Sequence, residues 1–342
     1  EKALRIVRST PPDLILLDIM MPIMSGHEVA AQLKADPATR DIPIIFLTAM
    51  ASSEDETRGL ALGAVDYITK PISPPVVLAR VETQLKIKAA ADFLRDKNDY
   101  LEQEVARRTR EVIAIQDVTI HAMASLAETR DNETGNHIRR TQHYVRVLAE
   151  HLRDHPRFRH FLDDATIKLL FTSAPLHDIG KIGIPDRILL KPGRFTPEEF
   201  EIMKTHTTLG RDAIEHAEAM LGMDVDFLRL AKEIAYGHQE KWDGSGYPEG
   251  KAGDDIPISA RLMAVADVYD ALISRRVYKE GMSHDAAVQI ILDGRGTHFD
   301  PDICDAFAVC LPLFKEIAQK FADSDHDMDG KAAALAHALP AT

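Results

Sequence analysis

Residues 167–185 read Ile167-Lys-Leu-Leu-Phe171-Thr-Ser-Ala-Pro-Leu-His177-Asp178-Ile-Gly-Lys181-Ile-Gly-Ile-Pro185. The apolar run from Ile167 to Phe171 has the character of a buried helix and delivers His177 and Asp178 toward an interior. An ionised carboxylate buried beside an imidazole needs a strong partner, and a metal ion supplies one.

Outward from this pair, residues 120–322 read as helical throughout, with loops marked by Pro-Gly at 192–193 and by glycines across 243–257. The chain has 15 histidines. His151, His155, His160 and His216 sit in polar helical contexts and read as surface residues. Others have companions. Glu133 and His137, four apart, share one helix face. His206 stands in Lys-Thr-His-Thr-Thr-Leu-Gly and His238 precedes Gln239-Glu-Lys-Trp-Asp243-Gly-Ser-Gly246-Tyr247-Pro248. Asp267 stands in Ala-Val-Ala-Asp-Val-Tyr-Asp-Ala. Taken singly, each of these is more often structural than a ligand. Asp325-His-Asp-Met-Asp-Gly330 matches the first half of a calcium loop, but Ala336 occupies the position that needs a bidentate Glu, so calcium is not expected there.

Residues 1–88 have another rhythm. β-rich runs at 14–17, 42–47 and 66–69 alternate with amphipathic stretches at 26–34 and 54–62, which predicts βαβαβ with a buried parallel sheet. The carboxyl ends of those strands carry Asp18, Thr48 and Lys70, where one pocket could hold all three. Between the two regions, residues 89–119 are charged and Ala-rich without Gly or Pro. One heptad register places Leu94, Leu101, Arg108 and Ile115 at one core position and Asn98, Val105, Val112 and Thr119 at the other. That pattern predicts a two-stranded coiled coil, with Asn98 fixing register and Arg108 as a flaw, or else a lone amphipathic linker helix. The tail from residue 323 is acidic, then Ala-rich.

Composition removes several classes. The 342 residues are 45% hydrophobic and 28% charged, which fits a globular chain of more than one domain. No apolar run approaches the roughly 18 residues of a spanning helix, so no membrane insertion is expected. With 41 Lys+Arg against 54 Asp+Glu, the net charge of -13 disfavours nucleic-acid binding. The two cysteines, Cys304 and Cys310, carry no motif and read as packing residues. Together with the absence of a signal-peptide pattern in the residues at hand, they predict a cytoplasmic protein.

In order along the chain, Glu133, His137, His177-Asp178, His206, His238 and Asp267 resemble the HD superfamily of metal phosphohydrolases. The Asp243 to Pro248 run narrows the resemblance to its HD-GYP branch, over roughly residues 120–320. The resemblance implies an all-α domain that hydrolyses cyclic di-GMP to pGpG, with onward hydrolysis to GMP left open, at two or three divalent ions, usually iron or manganese. By motif, His137, His177, Asp178 and Asp267 would hold one ion, and Asp178 would bridge to a second held by His206 and His238. Two such ions activate a water for in-line attack on phosphorus. Lys181 would offset charge on the scissile phosphate, while Gly246, Tyr247 and Pro248 would close over the substrate. Arg276 and Lys279 match basic residues that face the second phosphate. Where many members read His-His-Glu, this chain reads His238-Gln239-Glu240, which argues for two ions rather than three although Glu133 is retained. The rivals are another nucleotide substrate, or a domain that binds cyclic di-GMP without turnover.

Asp18-Ile-Met-Met-Pro-Ile-Met-Ser-Gly26, Thr48-Ala49 and Lys70-Pro71 resemble the response-regulator receiver, a doubly wound, flavodoxin-like α/β domain. The resemblance implies Asp18 as the phosphoryl acceptor from a sensor histidine kinase, with Thr48 and Lys70 as the switch pair. A receiver opens with a strand, a helix and a second strand that bring an acidic pair for magnesium. Residues 1–9 read as the end of its second helix, so the receiver is expected to be incomplete at its N-terminus and its magnesium site short of ligands. The expected organisation is therefore a partial receiver at 1–88, a dimerising helical linker at 89–119, a metal phosphohydrolase domain at 120–322 and a tail at 323–342.

Overall fold

The structure, a computed structural model, describes residues 2–49, 57, 59–130, 135–191, 193–275 and 281–324. It divides into two compact units, residues 1–111 and 112–342.

In the first unit, α1 (Lys2–Ser9) precedes β1 (Ile15–Asp18), α2 (Gly26–Ala35), β2 (Ile44–Thr48) and β3 (Asp66–Thr69). The strands form a parallel sheet in the order β1-β2-β3. Ile44, Ile45 and Phe46 are buried, as expected for a strand covered on both faces. Helix α2 starts on a reciprocal cap between Ser25 and Glu28 and packs Val29, Ala30 and Leu33 into the core with Leu17, Ile44 and Phe46. The stretch at 54–62 lies largely outside the described residues.

Helix α3 (Pro74–Thr129) runs well past both ends of the expected linker. Leu94, Leu101, Val105, Val112 and Ile115 along it are exposed, whereas Ile120, Ala124, Ala127 and Glu128 near its end are buried.

The second unit is helical: α4 (Gly135–Leu152), α5 (Asp164–Ser173), two 3-10 turns (Ala174–Leu176 and Ile179–Gly183), α6 (Asp186–Leu189), α7 (Pro197–Lys204), α8 (His206–Leu221), α9 (Asp226–Gly237), α10 (Ile258–Ile273), α11 (His284–Asp293) and α12 (Pro301–Lys320). Helix α10 is its axis. Residues 260 and 262–266 of α10 are buried in sequence, the mark of a helix enclosed on all sides. Around it Tyr144 stacks on Phe314 with centroids 4.4 Å apart, and Tyr269 meets Tyr144, Phe307 and Phe314 edge-on. Cys304 and Cys310 lie in this core as packing residues. Among the described residues no helix is long and apolar enough to cross a membrane.

One close approach sets the geometry of the HD stretch. A Cβ at Gly180 would lie 1.9 Å from the carbonyl oxygen of His206 and 2.4 Å from the amide nitrogen of Gly210. The second 3-10 turn thus rests backbone to backbone on α8. Gly180→Ala must push the two apart. Overpacking of this kind costs about 1–3 kcal/mol, which lowers the melting temperature by about 2–12 °C for a domain of this size. An unchanged melting curve would show that this contact is soft.

Candidate metal centre

Two clusters of possible ligands converge inside the second unit: His137, His177 and Asp267, and Asp178, His206 and His238. Within each, the ligand atoms lie within 4.8 Å of one another. His137 comes from α4 and Asp267 from α10, while His177 and Asp178 sit between the two 3-10 turns. His206 opens α8, and His238 caps the C-terminus of α9.

The orientation of the four imidazoles decides what they can do. Nδ1 of His137 donates to Asp270 Oδ2 (2.8 Å), that of His177 to the Ala174 carbonyl (3.0 Å), that of His206 to the Met203 carbonyl (2.7 Å) and that of His238 to the Ile234 carbonyl (3.0 Å). With the proton fixed on Nδ1, each Nε2 presents a lone pair. Those lone pairs face each other: Nε2 of His137 and His177 are 3.2 Å apart, and those of His206 and His238 are 3.4 Å apart. Two acceptors aimed at one buried point repel unless a cation lies between them, so these residues fit a metal ion in each cluster.

The carboxylates complete both sets. Asp267 Oδ1 lies 3.7 Å from His137 Nε2 and 3.8 Å from His177 Nε2. Asp178 faces both clusters, with Oδ2 3.3 Å from His177 Nε2 and Oδ1 3.4 and 3.6 Å from Nε2 of His206 and His238. Its Oδ1 is buried without a hydrogen-bond donor among the described residues, which suits an oxygen meant for a metal. Burial works to raise the Asp178 pKa, but Lys181, with Nζ 2.7 Å from Oδ2, and His177 outweigh it and hold the group ionised. Burial likewise favours neutral His177, yet the charges of Asp178 and Asp267 win and raise its pKa, so the surroundings favour positive charge at Nε2. At His206 burial prevails and depresses the pKa to about 4, leaving the neutral ring that ligation requires.

The Gly-rich loop closes against the second cluster. It is tied by bonds from the amides of Trp242 and Asp243 to the carbonyls of His298 and Thr297, and from the Glu249 amide to Glu240 Oε1. A Cβ at Gly246 would fall 2.3 Å from the Lys241 nitrogen, so this glycine serves the packing of the loop on 239–241. Tyr247 donates its amide to the Gln239 carbonyl and sets its ring edge-on to His206, with centroids 6.3 Å apart; Pro248 follows across a cis peptide bond.

A family model for the HD domain matches residues 121–303, and one for the response regulator receiver domain matches residues 1–82. The chain belongs to the HD domain family. A probable cyclic di-GMP phosphodiesterase of Vibrio cholerae is 57% identical, covering 95% of this chain and 74% of its own length. A cyclic di-GMP phosphodiesterase of the same organism is 55% identical over 63% of this chain, which spans 43% of that relative. The cyclic di-GMP phosphodiesterase response regulator RpfG of Xanthomonas campestris is 37% identical over 90% of this chain and 78% of its own length.

Of the sequence-predicted residues of the HD domain, Glu133, Arg276 and Lys279 lie outside the described residues. In the receiver unit, Asp18 and Thr48 end adjacent parallel strands and Lys70 follows the third, with its Nζ 2.5 Å from Asp18 Oδ2. This hydrogen bond lowers the Asp18 pKa.

Sequence reasoning missed Asp270 and Arg140. Asp270 is fully buried and accepts from His137 Nδ1, from Arg140 Nε (2.6 Å) and Nη2 (2.9 Å), and from Ser274 Oγ (3.0 Å). Burial opposes its charge, but the bonds from His137 and Arg140 hold its pKa at about 2. A carboxylate behind a ligating imidazole fixes its tautomer and raises its basicity. The available signal was a second Asp three residues after Asp267 in an apolar helix, which places both on one face. Asp270→Asn should weaken metal binding at the first cluster by about 10–100-fold while the second keeps its ion, measured by elemental analysis after dialysis against graded chelator. Full loading of both clusters would show that His137 needs no such support.

Proposed function

We propose that this chain is a response regulator whose HD domain hydrolyses cyclic di-GMP to linear pGpG, and onward to GMP if the linear product is re-bound. The observation that carries this reading is the shared carboxylate: Asp178 joins two buried clusters whose imidazoles all present Nε2 inward. His137, His177, Asp178 and Asp267 would hold one divalent ion, and Asp178, His206 and His238 the other. Mixed imidazole and carboxylate donors suit iron, manganese or zinc better than magnesium, and the family resemblance favours iron or manganese among them. When bound, such a pair supplies a nucleophile at neutral pH and polarises the phosphoryl oxygens.

The chain's own groups do the rest. Lys181, seated on Asp178, brings positive charge to the scissile phosphate, and Tyr247 walls the second cluster on the side of the Gly-rich loop. Arg276 and Lys279 take the second phosphate on the motif resemblance. Gln239 offers only a neutral carbonyl oxygen where many members of the HD-GYP pattern place an imidazole, which favours two ions over three, with Glu133 as the further ligand of a third. The relatives named for cyclic di-GMP support the substrate. Asp18, with Thr48 and Lys70, would accept a phosphoryl group from a sensor histidine kinase, with magnesium, in the cytoplasm. The exposed Leu94, Leu101, Val105, Val112 and Ile115 support pairing of two copies through 89–119.

The deciding experiment is anaerobic reconstitution with iron or manganese, followed by a time course against a panel of cyclic and linear nucleotides. We expect about two ions per chain and cyclic di-GMP consumed first. Asp178→Ala should lose turnover and at least one ion, because it removes a ligand from each. Binding of cyclic di-GMP without consumption would instead make the domain a sensor.

Replacing Leu101 and Val105 together by Asp places charges in the expected seam. Light scattering should report half the mass of the unaltered protein, and an unchanged mass would refute pairing through this helix.

A further inference from the structure

Helix α7 turns two residues away from the core and toward the second cluster. Ile202 and Met203 pack against Ile184, Ile188, Leu189 and Leu190. Phe200 and Lys204, four apart, share a different face of the helix. Phe200 stays 44% exposed, a large apolar ring that folding leaves in water. It meets the Tyr247 ring edge-on, with centroids 6.0 Å apart at 85°, and Tyr247 meets His206 in the same way. Lys204 Nζ lies 5.6 Å from the Phe200 centroid and 5.8 Å from that of Tyr247. From the second cluster outward there is thus an imidazole, a phenol and a phenyl ring, with an ammonium over the last two. The ion pair of Lys204 with Glu201, whose side chain is 70% exposed, is of the kind that water and ligands displace at little cost.

We propose that Phe200 and Lys204 form a purine platform. The base of the nucleotide whose phosphate sits at Asp178, His206 and His238 stacks on the Phe200 ring, and Lys204 donates to its O6 and N7, selecting guanine over adenine. This rests on the cyclic di-GMP reading above and assigns its base recognition. Guanine presents two acceptors on that edge, whereas adenine places an amino group beside N7 and so opposes the ammonium. Stacking of a base on an aromatic side chain is tolerant of sequence, so specificity falls to Lys204 and affinity to Phe200.

The test uses the full chain, with metal content measured for every variant. Kinetics with cyclic di-GMP and cyclic di-AMP are joined by equilibrium titration of both ligands into EDTA-treated protein, which needs no turnover. Phe200→Ala should raise KM and Kd for cyclic di-GMP by about 5–30-fold with kcat and metal content little changed, and Phe200→Trp should restore binding. Lys204→Met should reduce the preference for cyclic di-GMP over cyclic di-AMP by about tenfold in kcat/KM and in Kd. Unchanged KM and Kd in Phe200→Ala would overturn the proposal. So would a fall in kcat alone, which would make Phe200 a buttress for Tyr247. If the unaltered protein binds but never hydrolyses cyclic di-GMP, the hydrolase reading fails and the titrations still decide the platform.

Discussion

The second unit is organised around four buried imidazoles whose outer nitrogens are already spoken for. Because each Nδ1 donates to a carbonyl or to Asp270, every Nε2 turns an unshared pair inward, and Asp178 and Asp267 add negative charge to the same space. In an apolar core such an assembly is unfavourable without a cation. Its geometry therefore has to be imposed by everything around it. Helix ends impose most of it, since His206 and His238 stand at the start of α8 and the end of α9 and His177 follows a short 3-10 turn. At these helix ends one carbonyl takes two donors: the Ala174 and Ile234 carbonyls each accept both the backbone amide and the Nδ1 of His177 and His238, respectively. The contact of Gly180 with α8 then fixes how far Asp178 stands from His206.

Electrostatics at this centre runs against the protein as a whole. A net charge of -13 repels a dianionic ligand at long range. The cations around the centre are local and differently held. Arg140 is committed to Asp270 and, with it, to the posture of His137. Lys181 is tied to Asp178. Lys204, over the Phe200 and Tyr247 rings, has the exposed Glu201 as its one ion-pair partner among the described residues and can turn toward a ligand. The same charge type thus serves as scaffold at Arg140 and, on the proposals above, as part of the reaction site at Lys181 and as a reader of the base at Lys204.

Much of this was legible in the sequence because its signals are local. Three β-rich runs predict three parallel strands and put Asp18, Thr48 and Lys70 at their ends, and the sheet has that form. His177-Asp178 announced itself by ionisable residues after an apolar run. His206, His238 and Asp267 became readable only as an ordered set, since no single one is distinctive. What escaped depends on contacts distant in the chain. Asp270 looks like a repeat of Asp267 until its bonds to His137 and Arg140, more than a hundred residues away, are seen. Closer in the chain, Gly246 reads as a substrate contact, and the structure adds a packing constraint at the same residue, since a Cβ there would meet the backbone of 239–241. Phe200 is the clearest case. Apolar residues in a short amphipathic helix are assigned to the core by pattern alone, and α7 does send Ile202 and Met203 there. Only the position of α7 beside the Gly-rich loop shows that Phe200 faces another way, onto Tyr247. Periodicity reports which residues share a face of a helix. It carries no information about what that face meets, and at α7 the site depends on that difference.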